Sequence, residues 1–206
     1  MLLIKKYFPE ITDNQIVRIK KCIELYKDWN SKINVISRKD IDNLEERHFL
    51  HSICMLKYFT FKKGNVFIDF GTGGGFPGIP LSIMLPDCHF YMIDSIGKKI
   101  NVVNNIIQEL GLKNAKAEKC RIEDFKEQAN FVVSRAVMDL SELYKISKKN
   151  ISQNQYNSFR NGILYLKGGD TTKDETTFEK RIKVYKLKDT INEEFFETKK
   201  LVYLPI

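Results

Sequence analysis

The spacing of the hydrophobic positions changes near residue 65. Before that point the apolar residues recur every three or four positions, at Ile16, Ile19, Ile23 and Tyr26. This spacing predicts an amphipathic helix over residues 12–28, and Thr12 and Gln15 have the spacing of a capping box at its start. A polar turn follows, and a second helix is predicted over residues 41–59. Residues 1–64 are therefore expected to form a helical cap.

After residue 65, short apolar runs alternate with helical patterns. Strands are predicted at residues 66–70, 90–94, 115–118, 131–134, 163–167, 182–187 and 201–204, and helices at 98–110 and 140–149. Strands that alternate with helices predict a doubly wound, mostly parallel α/β sheet. No long helix separates the last two strands, which predicts a closing hairpin whose last strand runs antiparallel. Residues 65–206 are expected to form this second domain.

A glycine-rich turn follows the first of these strands, in the stretch NVFIDFGTGGGFPGIP at residues 65–80. Gly71, Gly73 and Gly75 have no Cβ, so the backbone at these positions can approach a ligand closely. In an open α/β sheet such a turn lies at the carboxyl end of a strand, where ligands bind. The stretch therefore predicts a loop that holds a nucleotide-type cofactor.

Two cofactors fit this loop. Gly73, Gly75 and Gly78 satisfy the G-x-G-x-x-G pattern of dinucleotide folds, and Asp94 follows about 20 residues later, which leaves an NAD-linked oxidoreductase open. Asp69, at the end of the strand, favours S-adenosylmethionine. A carboxylate there attracts the ammonium group of that cofactor and repels a pyrophosphate.

The ends of the next two strands carry further candidates. Asp94 ends the second strand, where a carboxylate can accept hydrogen bonds from the ribose of either cofactor. Ile122 and Glu123 follow the third strand, where an adenine ring would lie. These residues extend the predicted cofactor site beyond the glycine loop.

The composition predicts the kind of partner and the compartment of the protein. The net charge of +8 favours a polyanion such as nucleic acid, although a lysine-rich proteome would give the same charge. No apolar run is long enough for a transmembrane helix or a signal peptide, so a cytoplasmic protein is expected. The four cysteines are scattered, and His48 and His51 have no third ligand in sight, so no metal site is expected.

Several strings of the sequence resemble a known family. FIDFGTGGGFPGIPLSIMLPD, MIDSIGKK, CRIEDF, VVSRA and YLKGG occur in this order, after YKDWNSKINVIS and RHFLHS. They closely resemble the bacterial 16S ribosomal RNA guanine-N7 methyltransferase family, the glucose-inhibited division protein B type. The resemblance covers residues 26–169. It implies a seven-stranded class I methyltransferase sheet and methyl transfer from S-adenosylmethionine to N7 of one guanine of 16S ribosomal RNA.

The resemblance also implies site residues. It places cofactor contacts on Gly71, Phe76, Ile122, Glu123 and Arg135. Guanine N7 has an available lone pair, so this reaction needs alignment rather than a general base, and N7 must stay free of a donor. A single donor to O6 is expected instead. Arg135 and Lys167, at the ends of two strands, are the candidate catalytic residues, and Arg135 is a candidate for both roles.

Five basic residues are candidates for contacts with RNA phosphates. They are Lys98, Lys99, Arg121, Arg38 and Arg47. The substrate is expected to be 16S ribosomal RNA within the small subunit, and nothing in the sequence argues against a monomer. A non-catalytic RNA-binding assembly protein is the remaining alternative, together with the oxidoreductase.

Overall fold

A computed structural model describes residues 2–33, 35–37, 40–135 and 138–206 of the chain. The strands are β1 (Val66–Phe70), β2 (His89–Asp94), β3 (Ala115–Lys119), β4 (Phe131–Arg135), β5 (Gly162–Gly168), β6 (Lys183–Lys186) and β7 (Lys199–Pro205). The α-helices are α1 (Leu3–Tyr7), α2 (Asp13–Lys32), α3 (His51–Ile53), α4 (Gly78–Met84), α5 (Gly97–Glu109), α6 (Leu140–Ser147) and α7 (Thr172–Phe178).

The seven strands form one sheet in the order β3-β2-β1-β4-β5-β7-β6. Strands β1 to β5 run parallel to one another, whereas β7 runs antiparallel to both of its neighbours, β5 and β6. The predicted mostly parallel sheet and its antiparallel last strand are therefore confirmed. The strand order reverses beside β1, which is where open α/β sheets bind ligands.

The central strand β1 is apolar because helices cover both of its faces. Phe67 packs against Phe90 of β2 and Phe131 of β4, with ring centroids 4.8 and 5.4 Å apart. The edge strands β3 and β6 instead carry exposed lysines, such as Lys116 and Lys183. Charges at the edges of a sheet oppose pairing with another chain.

The long helix α2 begins as its sequence predicts. Thr12 accepts from the Gln15 amide, and the Gln15 side chain accepts from the Thr12 amide in return, so the capping box is present. Ile19, Cys22 and Tyr26 are buried on the face of α2 that packs toward α4 and α5. This face belongs to the same continuous apolar cluster as one face of the sheet. The division into two domains at residue 64 stays a prediction.

The predicted helix over residues 41–59 is present as a continuous helical segment over residues 41–57, but it is not a regular α-helix. The chain instead forms a 3-10 turn at Ile41–Asn43, a π-helical turn at Glu45–Leu50, the short helix α3 and a further 3-10 turn at Cys54–Lys57. Residues 48–55 are all buried, so packing on every side replaces the one-faced pattern of a surface helix. Of the described helices, none is both long enough and apolar enough to span a bilayer.

Candidate functional site

A cavity of about 650 Å³ opens at the carboxyl ends of β1, β2, β3 and β4. The glycine loop after β1, the end of β2 and the turn after β3 form most of its wall. The cap closes it from the other side through Val35, Ile36 and His48. The site thus lies between the cap and the sheet, in the size range of pockets for small molecules.

The glycine loop is held against β2. The amides of Gly71 and Thr72 both donate to the Ile93 carbonyl, at 2.8 and 3.0 Å. Gly73 has a φ of +57° and donates its amide to Asp94, while Gly75 has a φ of +93°. A Cβ on Gly75 would lie 2.7 Å from Ile79 and 2.9 Å from the Tyr26 hydroxyl. Only glycine fits this position.

Asp69 lies beneath the loop and is fully buried. Its Oδ2 accepts from the Thr72 hydroxyl at 2.7 Å and from the Gly78 amide at 2.8 Å, whereas Oδ1 has no partner among the described residues. Burial raises the pKa of this carboxyl to about 7. Asp69 therefore shapes the loop from below and does not line the cavity wall. The predicted contact with the cofactor ammonium stays a prediction.

Asp94 does line the cavity, at the end of β2. Its two oxygens accept from the backbone amides of Gly73, at 2.9 Å, and Ile96, at 2.8 Å. Each carboxylate oxygen has a second acceptor position, so these bonds orient the group and leave it able to accept from a ligand. Ile122 and Glu123 line the neighbouring wall, as their position after β3 predicts.

Arg135 ends β4 and lines the opposite wall. Its Nη2 lies 2.9 Å from Nδ1 of His48, and its Nη1 donates to the Arg47 carbonyl at 3.2 Å. The guanidinium also lies over the Phe76 ring, 5.4 Å from its centroid. Burial lowers the pKa of Arg135, and burial together with the Arg135 charge lowers the pKa of His48 to about 3. Arg135 is therefore a cation tied to a neutral imidazole.

The cap contributes residues that the sequence analysis did not assign to the site. The Tyr26 hydroxyl donates to the Gly74 carbonyl at 2.5 Å, and its ring lies 4.8 Å from that of Phe76. Val35 lies so close to Gly74 that a Cβ there would be 2.9 Å from its Cγ1. The helical periodicity identifies Tyr26 as a core residue, and its spacing carries no further signal.

Several predicted residues lie apart from the cavity wall. Lys167 forms an ion pair with Asp174 at 2.6 Å, and the Asp174 side chain is only 6% exposed. Lys167, Lys98, Arg47 and Gly75 do not line the cavity, whereas Gly71, Gly73, Phe76, Lys99 and Arg121 do. Arg47 forms an ion pair with Asp40 at 2.8 Å. Arg38 lies outside the described residues. Among the residues that the structure describes, no group of three side chains is placed to hold a metal ion.

The sheet order and the position of the cavity define a class I methyltransferase fold. The structure is similar to a SAM-dependent methyltransferase from Aquifex aeolicus, with a TM-score of 0.58, 18% identity, and coverage of 82% of this chain and 98% of that one. It is also similar to a mutant of MtNAS in complex with S-adenosylmethionine, with a TM-score of 0.57, 11% identity, and coverage of 93% and 76%.

Comparison of the sequence with known proteins shows which family the chain belongs to. Residues 15–202 match the model of the GidB family, described as rRNA small subunit methyltransferase G, and the chain belongs to that family. It is 48% identical to the ribosomal RNA small subunit methyltransferase G of Bacteroides fragilis over 206 residues, which is all of both chains. It is 50% identical to that of Christiangramia forsetii, over 99% of this chain and 96% of the relative. The predicted family and the predicted enzyme class, a methyltransferase that uses S-adenosylmethionine, are confirmed.

Proposed function

We propose that this protein transfers a methyl group from S-adenosylmethionine to N7 of one guanine in 16S ribosomal RNA. The observation that carries the proposal is the match of nearly the whole chain to a family named for small-subunit ribosomal RNA methylation. The same match favours S-adenosylmethionine over the dinucleotide that the glycine pattern also allowed.

The side chains that line the cavity have the chemistry that this cofactor requires. Asp94 is fixed by two backbone amides with acceptor positions left for ribose hydroxyls, and Ile122 offers an apolar side chain for an adenine ring. Asp69 lies beneath the loop with its Oδ1 unpaired, and a cationic ligand nearby would favour the ionised form of this carboxyl. When bound, the cofactor supplies an electrophilic methyl group on a sulfonium.

The chain's own residues supply alignment. Guanine N7 has a lone pair and no proton to lose, so the site needs no general base. Phe76 lines the cavity but is only 3% exposed, with the Arg135 guanidinium over its ring and the Tyr26 ring against it, so it shapes the wall beside an unstacked base. The neutral His48 and the paired Arg135 form the wall next to it. This arrangement holds a base and excludes water without taking part in proton transfer.

The surface around the cavity suits RNA. Arg121 is exposed and Lys99 half-buried, and both line the cavity, while Lys98 is exposed one residue away. Cations at this position can contact phosphates on either side of an unstacked guanine, and such contacts weaken as salt rises. We propose that the substrate is the small ribosomal subunit in the cytoplasm and that the protein acts as a monomer.

Methyl transfer tests the proposal. Labelled S-adenosylmethionine is offered with small subunits that lack the modification, and separately with free 16S ribosomal RNA. We expect one methyl group per subunit and little label on free RNA. The Asp94→Ala variant, which is expected to bind the cofactor poorly, is the negative control. Cofactor binding with no transfer to either substrate would favour the alternative, a non-catalytic assembly protein.

A further inference from the structure

His48 is a cap residue with its ring in the wall of the catalytic cavity. It is only 9% exposed, yet it lines the cavity beside Phe76 and Arg135. Resting on the proposed function, we infer that the Nε2–H group of His48 donates a hydrogen bond to O6 of the target guanine. His48 is thereby the residue that selects guanine over adenine.

The contact with Arg135 fixes which ring nitrogen carries the proton. Arg135 Nη2 lies 2.9 Å from His48 Nδ1. A guanidinium can only donate, so Nδ1 must present its lone pair. A neutral imidazole has one N–H group, and it must therefore be at Nε2. Burial and the neighbouring Arg135 charge lower the pKa of His48 to about 3, which keeps the ring neutral at physiological pH.

The Nε2–H group is free for a ligand. Nε2 has no hydrogen-bond partner among the described residues, and it is not among the polar atoms that are sealed off without one. His51, one turn further on, provides the contrast. Its Nε2 is sealed without a partner, and its ring packs edge-on against Phe195 and Phe196. Of these two histidines, only His48 presents its ring to the cavity.

The ring is also held in place. Phe76 contacts it edge-on, with centroids 4.9 Å apart and planes at 63°. Arg135, which fixes Nδ1, is itself anchored by the Arg47 carbonyl. The segment that carries His48 is a π-helical turn, Glu45–Leu50, a geometry that is common at functional sites. A donor fixed on two sides suits recognition of a single acceptor.

A single donor is what N7 chemistry requires. Guanine displays two acceptors side by side, O6 and N7, and an arginine fork would occupy both. N7 must keep its lone pair for the methyl group, so a residue with one N–H suits the site better than a free guanidinium. Adenine displays an amino donor in place of O6, which would face the His48 N–H and be rejected. Arg135 then serves as a positioning residue behind His48.

Two substitutions separate the donor from the contact with Arg135. In His48→Asn the amide oxygen can replace Nδ1 as acceptor for Arg135, but nothing replaces Nε2–H. In His48→Gln the amide nitrogen can reach the place of Nε2–H. We expect His48→Asn to lower kcat/KM for subunit methylation about 10- to 100-fold, and His48→Gln to keep most of it. S-adenosylmethionine affinity should stay unchanged in both, since His48 is assigned to the base.

A purine without O6 gives the decisive readout. Subunits are reconstituted with 2-aminopurine in place of the guanine that the wild-type enzyme methylates. The wild type should lose about 10- to 100-fold on this substrate, whereas His48→Asn should methylate both substrates at nearly the same rate. A purely structural role for His48 would slow both substrates by the same factor.

The outcomes are distinguishable. If His48→Asn keeps the wild-type rate, or loses as much as the wild type when O6 is removed, the inference about His48 is wrong and the proposed function stands. If the wild-type enzyme forms no N7-methylguanine on normal subunits, the proposed function fails and the inference fails with it.

Discussion

The hydroxyl of Tyr26 donates a hydrogen bond to the carbonyl of Gly74 at 2.5 Å, and so joins the longest helix of the cap to the glycine loop. Tyr26 is fully buried, and its ring also contacts Phe76 in the cavity wall. The loop is thus fixed from β2 on one side and from the cap on the other. The cap is therefore part of the cavity wall and of the support for the loop.

Removing this hydroxyl should affect both stability and binding. Tyr26→Phe leaves the buried Gly74 carbonyl without its donor, so we expect the free energy of unfolding to fall by about 1–3 kcal/mol. We also expect S-adenosylmethionine affinity to fall several-fold, as measured by calorimetry. Tyr203→Phe is the matched control, since its hydroxyl donates to the Arg160 carbonyl at 2.6 Å away from the cavity. Tyr203→Phe should lose stability and keep its affinity for S-adenosylmethionine. An equal loss of affinity in both variants would contradict the account.

Asp94 orients the glycine loop, and we propose that it also holds the cofactor. Asp94→Asn keeps an acceptor for one backbone amide and places an NH2 group against the other amide. We expect S-adenosylmethionine affinity to fall about 10- to 100-fold, because donor faces donor and a charged acceptor is lost. Asp87→Asn, on the exposed surface beside Lys63, should leave affinity unchanged. Wild-type affinity in Asp94→Asn would mean that Asp94 does not hold the cofactor.

Asp69 predicts a pH dependence of stability. Burial raises its pKa from 3.8 to about 7, so the folded protein holds a proton that the unfolded chain has lost in this range. The contribution of Asp69 to stability is therefore greatest below about pH 4 and is lost as pH rises to about 7. Asp94 opposes ionisation of Asp69, while Arg135, the Thr72 hydroxyl and the Gly78 amide favour it.

Asp69→Asn has no proton to lose at this position. We expect the unfolding free energy of the variant, relative to wild type, to rise between pH 4 and pH 7 in urea titrations. Thr72→Val removes a donor that favours the ionised carboxylate, so in this variant the fall in unfolding free energy should extend to higher pH. A constant difference between Asp69→Asn and wild type over this range would show that Asp69 is already ionised when buried.

A substitution at Lys167 distinguishes a structural role of this residue from a catalytic one. Lys167→Met leaves the Asp174 carboxylate buried without its partner, so we expect a loss of about 1–3 kcal/mol in unfolding free energy. Methyl transfer, measured well below the melting temperature, should change by less than about threefold. A loss of transfer in a stable Lys167→Met protein would restore Lys167 as a substrate contact. Asp174→Asn, which keeps a hydrogen-bonding partner for Lys167, should lose less stability.

The sequence predicts the interior strands well because they are short apolar runs bounded by polar turns, whereas the edge strands β3 and β6 are rich in lysine and give a weaker pattern. It also places the glycine loop and Asp94, because both follow from local spacing at strand ends. The π-helical turn at Glu45–Leu50 is not predictable in this way. Three consecutive residues of this turn, His48, Phe49 and Leu50, are all buried, so no single apolar face repeats along it.

The contact between His48 and Arg135 shows the same limit for the site. The two residues are 87 positions apart, and neither has a local pattern that points to the other. Lys167 and Asp174 are seven apart, but only the fold shows that the lysine is occupied by an ion pair. Residue type and strand end predict which side chains are candidates, and tertiary packing decides which of them are available to a ligand.

The identity of the methylated atom tests the central claim most directly. Small subunits treated with the enzyme and S-adenosylmethionine are reduced with borohydride and cleaved with aniline, which breaks the chain at 7-methylguanosine. We predict a single new cleavage site in 16S ribosomal RNA, which is absent when the enzyme is omitted. Methylated subunits that resist this cleavage would carry the methyl group on another atom and contradict the account.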